Sequence, residues 1–306
     1  MQSTNHILMI RPVAFTFNTQ TAISNSFQKA NNTLNTQQNA LNEFDAFVNK
    51  LTEAGVKVHV IEDTLEPHTP DSIFPNNWIS FHENNWIGVY PMQAENRRTE
   101  RRADILGTLS KDFLLEEIVD YTASEKEDKF LEGTGSMVLD RDHQICYACI
   151  SPRTHIDLLQ QFCAAFNYQL VHFVALDADK KPIYHTNVVM SVTTDFLIVC
   201  WECIPSEMER NRIKQSTTKQ IIEINLAQLN QFAGNVLEVL GAKNKKYLVM
   251  SEQAYKALTP SQIEMIESHC SILYTPLYTI ENNGGGSARC MMAEIFLKER
   301  TAKEKA

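Results

Sequence analysis

The sequence has no long hydrophobic run, no surplus of basic residues and no even set of cysteines. Its N-terminal apolar run, residues 7–10, ends at Arg11, and no basic segment precedes it. We therefore expect neither an export signal nor a membrane-spanning helix. The 28 basic residues are outnumbered by 37 acidic ones, which gives a formal charge of −9. This balance argues against a protein that binds nucleic acid or an anionic membrane.

The seven cysteines are an odd number, so a disulfide framework is not expected. We expect free thiols and a reducing, cytoplasmic location. A small molecule is the partner that the composition favours. The oligomeric state is open, with a homodimer as one candidate.

No linker rich in proline, glycine or serine divides the 306 residues. We expect one mixed α/β domain over residues 1–297 and a charged, solvated tail over residues 298–306. Paired short strands return about every 50 to 60 residues, with a helix in each interval, which is typical of a repeat architecture. Strands are predicted at residues 6–10, 56–62, 78–81, 86–90, 136–139, 145–150, 170–175, 188–192, 196–201, 236–240 and 247–250. Helices are predicted at 36–54, 152–167 and 261–270, with one more ending near 113, and residues 208–232 are expected to be helical in part. The apolar runs 273–276 and 288–296 close the pattern.

A glycine-rich segment near the C-terminus is the most informative part of the chain. Gly284, Gly285 and Gly286 permit positive φ and a close approach to a ligand, and they lead to Cys290. We expect the cationic Arg289 and free backbone N–H groups to favour a thiolate there. Taken alone, however, a buried structural cysteine is the commoner explanation.

Four other segments carry polar residues beside expected turns. Glu132 precedes two glycines at a strand edge, His185 lies at the mouth of another strand, and Arg153 lies at a helix entrance. A polar loop with an aromatic side chain covers residues 70–78. A thiol, an imidazole and a carboxylate, each beside a strand end, are the components of a Cys-His-Glu hydrolytic site.

Two further patterns suggest other functions and are rejected. The pairs Cys146-x-x-Cys149 and Cys200-x-x-Cys203 lie in apolar, strand-like runs, where residues three apart face opposite ways. Structural zinc pairs lie on turns instead, so no metal site is predicted. The basic run at residues 97–102 is more simply a helix start with solvated arginines than a nucleic-acid patch.

Together, the runs Glu132-Gly-Thr-Gly-Ser, His185-Thr-Asn and Gly284-Gly-Gly-Ser-Ala-Arg-Cys290 resemble the pentein, or guanidine-modifying, superfamily. The chain is most similar to its bacterial citrulline-utilization hydrolases, over nearly its whole length. This resemblance implies a fivefold pseudo-symmetric α/β propeller with the site on its axis. No cofactor is implied.

The resemblance also implies roles for individual residues. Cys290 matches the nucleophile, His185 the general acid/base, and Glu132 the carboxylate that orients the histidine and binds the substrate nitrogens. Arg153 matches the arginine that holds the substrate α-carboxylate, and Arg97 matches a second such arginine.

The substrate-binding loop departs from many relatives. Phe74, Asn76 and Asn77 stand in it, and Asn77 replaces the aspartate that pairs with a guanidinium in deiminases and dimethylarginine hydrolases; arginine dihydrolases resemble this chain in having asparagine there. An amide suits a neutral ureido group. Residues 133–135, Gly-Thr-Gly, replace Gly-Gly-Asp of many relatives, so Asp71 is expected to bind the α-amino group.

These observations predict a hydrolase that cleaves C–N bonds of citrulline or arginine-type substrates through a covalent S-amidino or S-carbamoyl intermediate. Two alternatives stay open. An amidinotransferase would use the same triad but pass the intermediate to an amine, and a non-catalytic binding protein could share the fold.

Overall fold

The computed structural model describes residues 1–29, 35–301 and 304. In this part of the chain, fifteen strands form five sheets of three strands each. The strands are β1 (His6–Arg11), β2 (Lys57–Glu62), β3 (Ile79–Phe81), β4 (Trp86–Val89), β5 (Glu117–Asp120), β6 (Val138–Asp140), β7 (Ile145–Cys149), β8 (Gln169–Phe173), β9 (Met190–Val192), β10 (Phe196–Val199), β11 (Gln220–Glu223), β12 (Leu237–Leu240), β13 (Lys246–Ser251), β14 (Ser271–Thr275) and β15 (Ala293–Glu294).

The helices alternate with these strands. The α-helices are α1 (Thr36–Glu53), α2 (Ala103–Leu109), α3 (Gly133–Ser136), α4 (Ile156–Phe166), α5 (Thr186–Val189), α6 (Glu207–Ser216), α7 (Leu226–Leu229), α8 (Glu252–Ala257), α9 (Pro260–Glu267) and α10 (Tyr278–Gly284). Short 3-10 helices cover Thr21–Ile23, Pro75–Asn77, Glu95–Glu100, Thr122–Glu127, Trp201–Cys203 and Ala242–Asn244.

All five sheets have the same plan. The middle strand pairs antiparallel with an inner strand and parallel with an outer strand. The sheet orders, from inner to outer strand, are β15-β1-β2, β3-β4-β5, β6-β7-β8, β9-β10-β11 and β12-β13-β14. Inner strands of neighbouring sheets contact each other, β15 with β3, β6 with β9, and β9 with β12. This arrangement confirms the predicted fivefold α/β propeller.

Helices connect the middle and outer strands because a parallel pair cannot be joined by a tight turn. The crossovers are α1, α2, α4, α6, and α8 with α9. The predicted amphipathic helix α1 is confirmed, and its apolar stripe is buried through Phe44, Phe47 and Leu51. Burying this stripe removes apolar surface from water, which holds the helix against its sheet.

The two ends of the chain meet in the first sheet. Inner strand β15 comes from the C-terminal region and pairs with β1, with Ala293 opposite Leu8. The chain then continues along the loop after α2, where Leu114 N donates to the Lys298 carbonyl at 2.9 Å and Arg300 N donates to the Asp112 carbonyl at 2.7 Å. Residues 298–300 are thus tied to the rest of the chain by backbone hydrogen bonds, while the side chains of Lys298 and Glu299 are exposed. The division into a domain over residues 1–297 and a solvated tail stays a prediction.

Several predicted strands begin later than expected. Residues 133–136 and 186–189 are helical turns, so β6 and β9 start only after them, and within residues 288–296 only Ala293–Glu294 is a strand. Cys200 and Cys203 do not lie in a strand, because Cys200 is the N-cap and Cys203 the last residue of a 3-10 helix. Outer strands β5 and β11 were not predicted. The turns place polar side chains immediately before the inner strands.

Candidate active site

Glu132 and His185 form the central hydrogen-bonded pair of the site. Each residue is the N-cap of a one-turn helix, Glu132 of α3 and His185 of α5, rather than lying at a strand edge as predicted. Both side chains are buried, and Nε2 of His185 lies 2.9 Å from Oε2 of Glu132. The other oxygen, Oε1, accepts a hydrogen bond from the Gln93 backbone N–H at 3.0 Å.

These surroundings determine the protonation of both groups. Burial alone would raise the pKa of Glu132, but the charge of Arg153 and the hydrogen bond from His185 hold that pKa well below its ordinary value. Burial lowers the pKa of His185 to about 4, although Glu132 opposes the shift. The resting imidazole is therefore neutral. An ionised carboxylate only accepts hydrogen bonds, so the proton is on Nε2 and Nδ1 is left as a base.

Cys290 lies in the turn that precedes β15. Its backbone N–H donates to the Ser287 carbonyl at 3.0 Å, and its thiol is buried. The sulfur accepts hydrogen bonds from two side-chain amides, Nδ2 of Asn187 at 3.4 Å and Nδ2 of Asn235 at 3.3 Å. Both asparagines were missed by the sequence analysis of site residues, although Asn187 lies in the recognised His185-Thr-Asn run.

The predicted role of Arg289 is wrong. Its guanidinium turns away from the thiol and binds the other side of the turn, with Nη2 2.6 Å from Oε2 of Glu294 and Nη1 2.9 Å from the Met292 carbonyl. Neutral amides, not a cation, are therefore the donors that contact the sulfur.

The glycine-rich loop is held by its neighbours. Gly285 has a φ of +65°, and its carbonyl accepts hydrogen bonds from the Tyr184 hydroxyl at 2.5 Å and from Nδ2 of Asn25 at 3.2 Å. A side chain at position 285 would also collide with Asn25. The expected need for glycine at this position is thus confirmed, and Tyr184 and Asn25 fix the loop in place.

Arg153 is buried beside Glu132, with Nη1 3.4 Å from Oε2. Its remaining donors bind the N-terminal loop. Nη2 donates to the Thr21 carbonyl and to Oγ of Ser24, each at 2.8 Å, and Nε donates to the same hydroxyl at 2.9 Å. These two short partners are neutral, so a substrate carboxylate could replace them with a gain in Coulomb energy.

Arg97 has a different environment from the one expected. Nε and Nη2 each lie 2.9 Å from an oxygen of Glu100, in a bidentate ion pair, and Nη1 donates to Oδ1 of Asn77 at 2.9 Å. All three side chains are buried. Because Glu100 already neutralises Arg97, Arg153 is the better candidate for a carboxylate ligand.

Of the residues predicted in the loop before β3, some line the site cavity and one does not. Asn77 and Phe74 line the site cavity, whereas Asn76 is fully buried behind it and accepts a hydrogen bond from Nδ2 of Asn77 at 2.9 Å. Asp71 also lines the cavity. Its Oδ2 accepts hydrogen bonds from Asn18 at 2.8 Å and Thr21 at 3.1 Å, while Oδ1 has no partner within the described residues.

The cavity itself is small, about 10 Å³. This is room for about one water molecule, so an amino acid cannot enter unless a wall moves. Glu132 is fully buried and does not line the cavity. The lining residues are Thr21, Asn25, Asp71, Phe74, Asn77, Arg97, Arg153, Tyr184, His185, Gly284, Gly285, Gly286 and Cys290.

No group of three or more His, Cys, Asp or Glu residues that could hold a metal ion occurs within the described ranges. The cysteines of the two Cys-x-x-Cys pairs are free and buried. Among the helices of the described residues, none combines the length and the apolar character that a membrane span requires. The cytoplasmic location and the homodimer stay predictions.

A model of a known protein family matches residues 11–297 of the chain. The matching model is that of the family described as N,N dimethylarginine dimethylhydrolase, eukaryotic. Among curated protein sequences, none is significantly similar to this one.

Solved structures share the fold at low sequence identity. The apo structure of ArgZ, an arginine dihydrolase from the ornithine-ammonia cycle in cyanobacteria, superposes with a TM-score of 0.77 at 16% identity, covering 98% of this chain and 42% of ArgZ. A substrate-bound cysteine-to-serine mutant of the ArgZ N-terminal domain gives 0.76 at 15% identity, covering 95% of this chain and 99% of that one. DDAH from Pseudomonas aeruginosa, a cysteine-to-serine mutant complexed with citrulline, gives 0.68 at 14%, covering 96% and 100%.

Proposed function

Because the chain belongs to the family described as N,N dimethylarginine dimethylhydrolase, eukaryotic, we propose that it hydrolyses a C–N bond of citrulline or of an arginine-type substrate. The family membership confirms the predicted resemblance to the guanidine-modifying superfamily. The observation that carries the proposal is the convergence of Cys290 and His185 on one cavity, with His185 held by Glu132 at 2.9 Å.

Two structural relatives support this choice of substrate class. The ArgZ N-terminal domain, an arginine dihydrolase, has been seen bound to substrate, and the Pseudomonas DDAH has been seen with citrulline. The present chain spans 42% of the ArgZ chain and 99% of its N-terminal domain. Its match is thus to the domain that binds the arginine-type substrate.

The first chemical step is attack by the Cys290 sulfur on the central carbon of the ureido group. His185, neutral at rest, takes the thiol proton on Nδ1 and becomes an imidazolium beside the Glu132 carboxylate, which stabilises it. A new S–C bond forms and the C–N bond to the side-chain nitrogen breaks. His185 gives its proton to this nitrogen, so the amine leaves neutral and an S-carbamoyl cysteine remains.

The second step hydrolyses this intermediate. His185, neutral again, takes a proton from a water molecule, whose oxygen attacks the carbamoyl carbon. The S–C bond breaks and the sulfur leaves as a thiolate, which recovers its proton from His185. The product is carbamic acid, which decomposes to ammonia and carbon dioxide. With citrulline, the complete cycle consumes water and yields ornithine, ammonia and carbon dioxide.

Asn77 favours a ureido over a guanidinium substrate. Its Oδ1 is already occupied by Arg97, so it offers a cation no acceptor comparable to a carboxylate. One Nδ2 hydrogen is used by Asn76, and the second has no partner among the described residues. That hydrogen matches the carbonyl oxygen of a neutral ureido group.

The amino-acid end of the substrate also has complementary groups. Arg153 would exchange Ser24 and Thr21 for the α-carboxylate. Oδ1 of Asp71, buried and without a partner among the described residues, would accept a hydrogen bond from the α-ammonium. These two charges favour a free amino acid over a residue within a peptide, which lacks both end groups.

Product analysis by mass spectrometry tests the proposal. Purified protein is incubated separately with citrulline and with arginine, with and without glycine, and Cys290→Ser serves as the blank. Ornithine and ammonia from citrulline, absent from the blank, are the expected result. Guanidinoacetate that appears only with glycine would identify an amidinotransferase instead. No product in any reaction would overturn the catalytic proposal for these substrates and favour the non-catalytic alternative.

A further inference from the structure

In each of the five repeats, the segment before the inner strand carries a buried polar or thiol side chain that can contribute to the site. The loops before β3, β6, β9 and β15 carry Asn77, Glu132, His185 and Cys290. The fifth loop, before β12, carries Asn235. Four of these residues belong to the expected site. By pseudo-symmetry, Asn235 occupies the equivalent position in the fifth repeat and is a candidate for the same site.

Asn235 directly contacts the proposed nucleophile. Its Nδ2 lies 3.3 Å from Sγ of Cys290 and also donates to the Asn187 carbonyl at 3.0 Å. Nδ2 of Asn187 lies 3.4 Å from the same sulfur. Both asparagines are buried, so these amide–sulfur contacts are made out of water, where a hydrogen bond to a charged atom is strengthened.

The backbone holds Asn235 in this position. A Cβ at the preceding residue, Gly234, would lie 2.4 Å from the Val188 carbonyl oxygen, so the loop approaches α5 too closely for any other residue. The loop before β12 is thereby packed against the helix that carries Asn187. The bond from Asn235 to the Asn187 carbonyl joins the two loops at the sulfur.

The orientation of both amides is costly to the fold. Oδ1 of Asn187 and Oδ1 of Asn235 are buried and have no hydrogen-bond partner within the described residues. A buried acceptor without a partner destabilises the folded state, and an apolar side chain of the same shape would avoid this cost. Each asparagine therefore serves as a donor to sulfur at the expense of its acceptor.

We propose that Asn235 is a further catalytic residue, which, with Asn187, stabilises negative charge on Sγ of Cys290. This inference rests on the proposed function for its catalytic meaning. The sulfur carries negative charge twice in the cycle, as nucleophile and as leaving group. Two neutral donors stabilise it in both steps without forming a permanent ion pair that would hold the thiolate unreactive.

Two variants of the same shape test the inference. Asn235→Leu removes the donor, and Asn235→Asp replaces it with a carboxylate, while both keep the size of the side chain. The thiolate absorbance of each protein in the ultraviolet is measured against pH, after subtraction of the same protein carrying Cys290→Ser. We expect about a tenfold lower thiolate-to-thiol ratio for Asn235→Leu, as for the loss of one hydrogen bond to a charged group. For Asn235→Asp, the thiolate-to-thiol ratio of Cys290 should fall at least as much, as long as the new carboxyl group is ionised.

A second readout is the rate at which iodoacetamide alkylates the Cys290 peptide, followed by mass spectrometry. The alkylation rate should be lower in Asn235→Leu than in the wild type, and at least as low in Asn235→Asp. Asn230→Leu, on the exposed end of α7 in the same segment, is the matched control and should behave as the wild type. A wild-type thiolate ratio in Asn235→Leu, with an unchanged unfolding temperature, would overturn the inference and assign Asn235 a packing role.

The outcome is separable from that of the proposed function, because neither readout uses a substrate. If the thiolate ratio falls but citrulline and arginine yield no product, the sulfur contact stands and the substrate assignment fails.

Discussion

Oδ1 of Asn77 accepts a hydrogen bond from Nη1 of Arg97 at 2.9 Å, and Nδ2 of the same amide donates to Oδ1 of Asn76 at 2.9 Å. The amide is therefore fixed at both ends. A carboxylate at this position could form the first bond but not the second. An amide at residue 77 therefore offers the substrate a hydrogen-bond donor, whereas an acid would offer an acceptor.

Asn77→Asp should shift the substrate preference. The new carboxylate would lose the bond to Asn76 and place two acceptor oxygens against each other. We expect kcat/KM for citrulline to fall at least about tenfold, because a buried group loses its partner, and kcat/KM for arginine to fall less. Steady-state kinetics on both substrates measure the ratio. Asn84→Asp, on the exposed turn before β4, is the control, and an unchanged ratio in Asn77→Asp would contradict the role given to the amide.

Gly135→Ala should impair catalysis while leaving the fold intact. A Cβ at this position would lie 2.7 Å from Nδ1 of His185 and 2.6 Å from Nδ2 of Asn77, so both must shift. We expect kcat/KM to fall by about 10²-fold, since small displacements of catalytic groups have effects of this size.

Gly107→Ala is the matched control for Gly135→Ala. Nothing lies within 4 Å of its Cβ position, and alanine in an exposed helix stabilises by up to about 1 kcal/mol. Wild-type kinetics in Gly135→Ala would mean that the two neighbours move freely.

The fall of kcat/KM on the acid side of its pH profile should occur at an unusually low pH. Burial lowers the pKa of His185 from 6.5 to about 4, so the imidazole stays an effective base down to that pH. We expect kcat/KM to show no loss from His185 as pH falls through 6.5, and a tenfold fall per pH unit only below about 4. The same shift makes the folded state less stable as pH falls from 6.5 towards 4, because only the unfolded chain then binds the proton.

Samples for this profile are therefore returned to neutral pH and assayed again, to separate titration from unfolding. A reversible loss of activity centred near 6.5 would show that His185 is not held neutral.

Glu281→Gln should change how stability depends on pH. Burial raises the pKa of Glu281 from 4.5 to about 7, against the hydrogen bond that Ser287 donates to it at 2.6 Å. The folded state keeps a proton that the unfolded chain loses, so this stabilising contribution is complete below 4.5 and disappears as pH rises through 7. Glutamine stays neutral throughout. We expect the variant to gain about 2 to 3 kcal/mol relative to the wild type between pH 5 and pH 8.

Denaturant unfolding at the two pH values measures this difference. Glu264→Gln, on the exposed face of α9, is the control. If the free energy of unfolding differed between Glu281→Gln and the wild type by the same amount at both pH values, Glu281 would ionise at its ordinary pH.

Much of the fold was predictable because the middle strands are buried on both faces. β7 and β10 are continuous apolar runs and were expected, as was the return of paired strands at a regular interval. Outer strands β5 and β11 were missed since each exposes polar residues and has no clear alternation. They are strands because a parallel neighbour supplies their hydrogen bonds, and that pairing is not local information.

The residues of the candidate site also fall into those that the sequence reveals and those that it does not. Glu132, His185 and Cys290 were identified because each stands in a recognisable run of small and polar residues. Asn235 has only a preceding glycine to distinguish it, and its partner Cys290 is distant in sequence. The one signal that could have revealed it is its position before the inner strand of the fifth repeat.

The chemical groups of the site can be read from the sequence alone: a thiol, an imidazole, a carboxylate and an amide in place of an acid at residue 77. The direction in which the surrounding side chains point depends on the folded chain. Arg289 is adjacent to Cys290 in sequence, yet it binds Glu294, whereas Asn235 reaches the sulfur from another sheet. The physical reason is that a turn sets where neighbouring side chains point, and the turn before β15 is held by residues distant in sequence, such as Asn187 and Asn235.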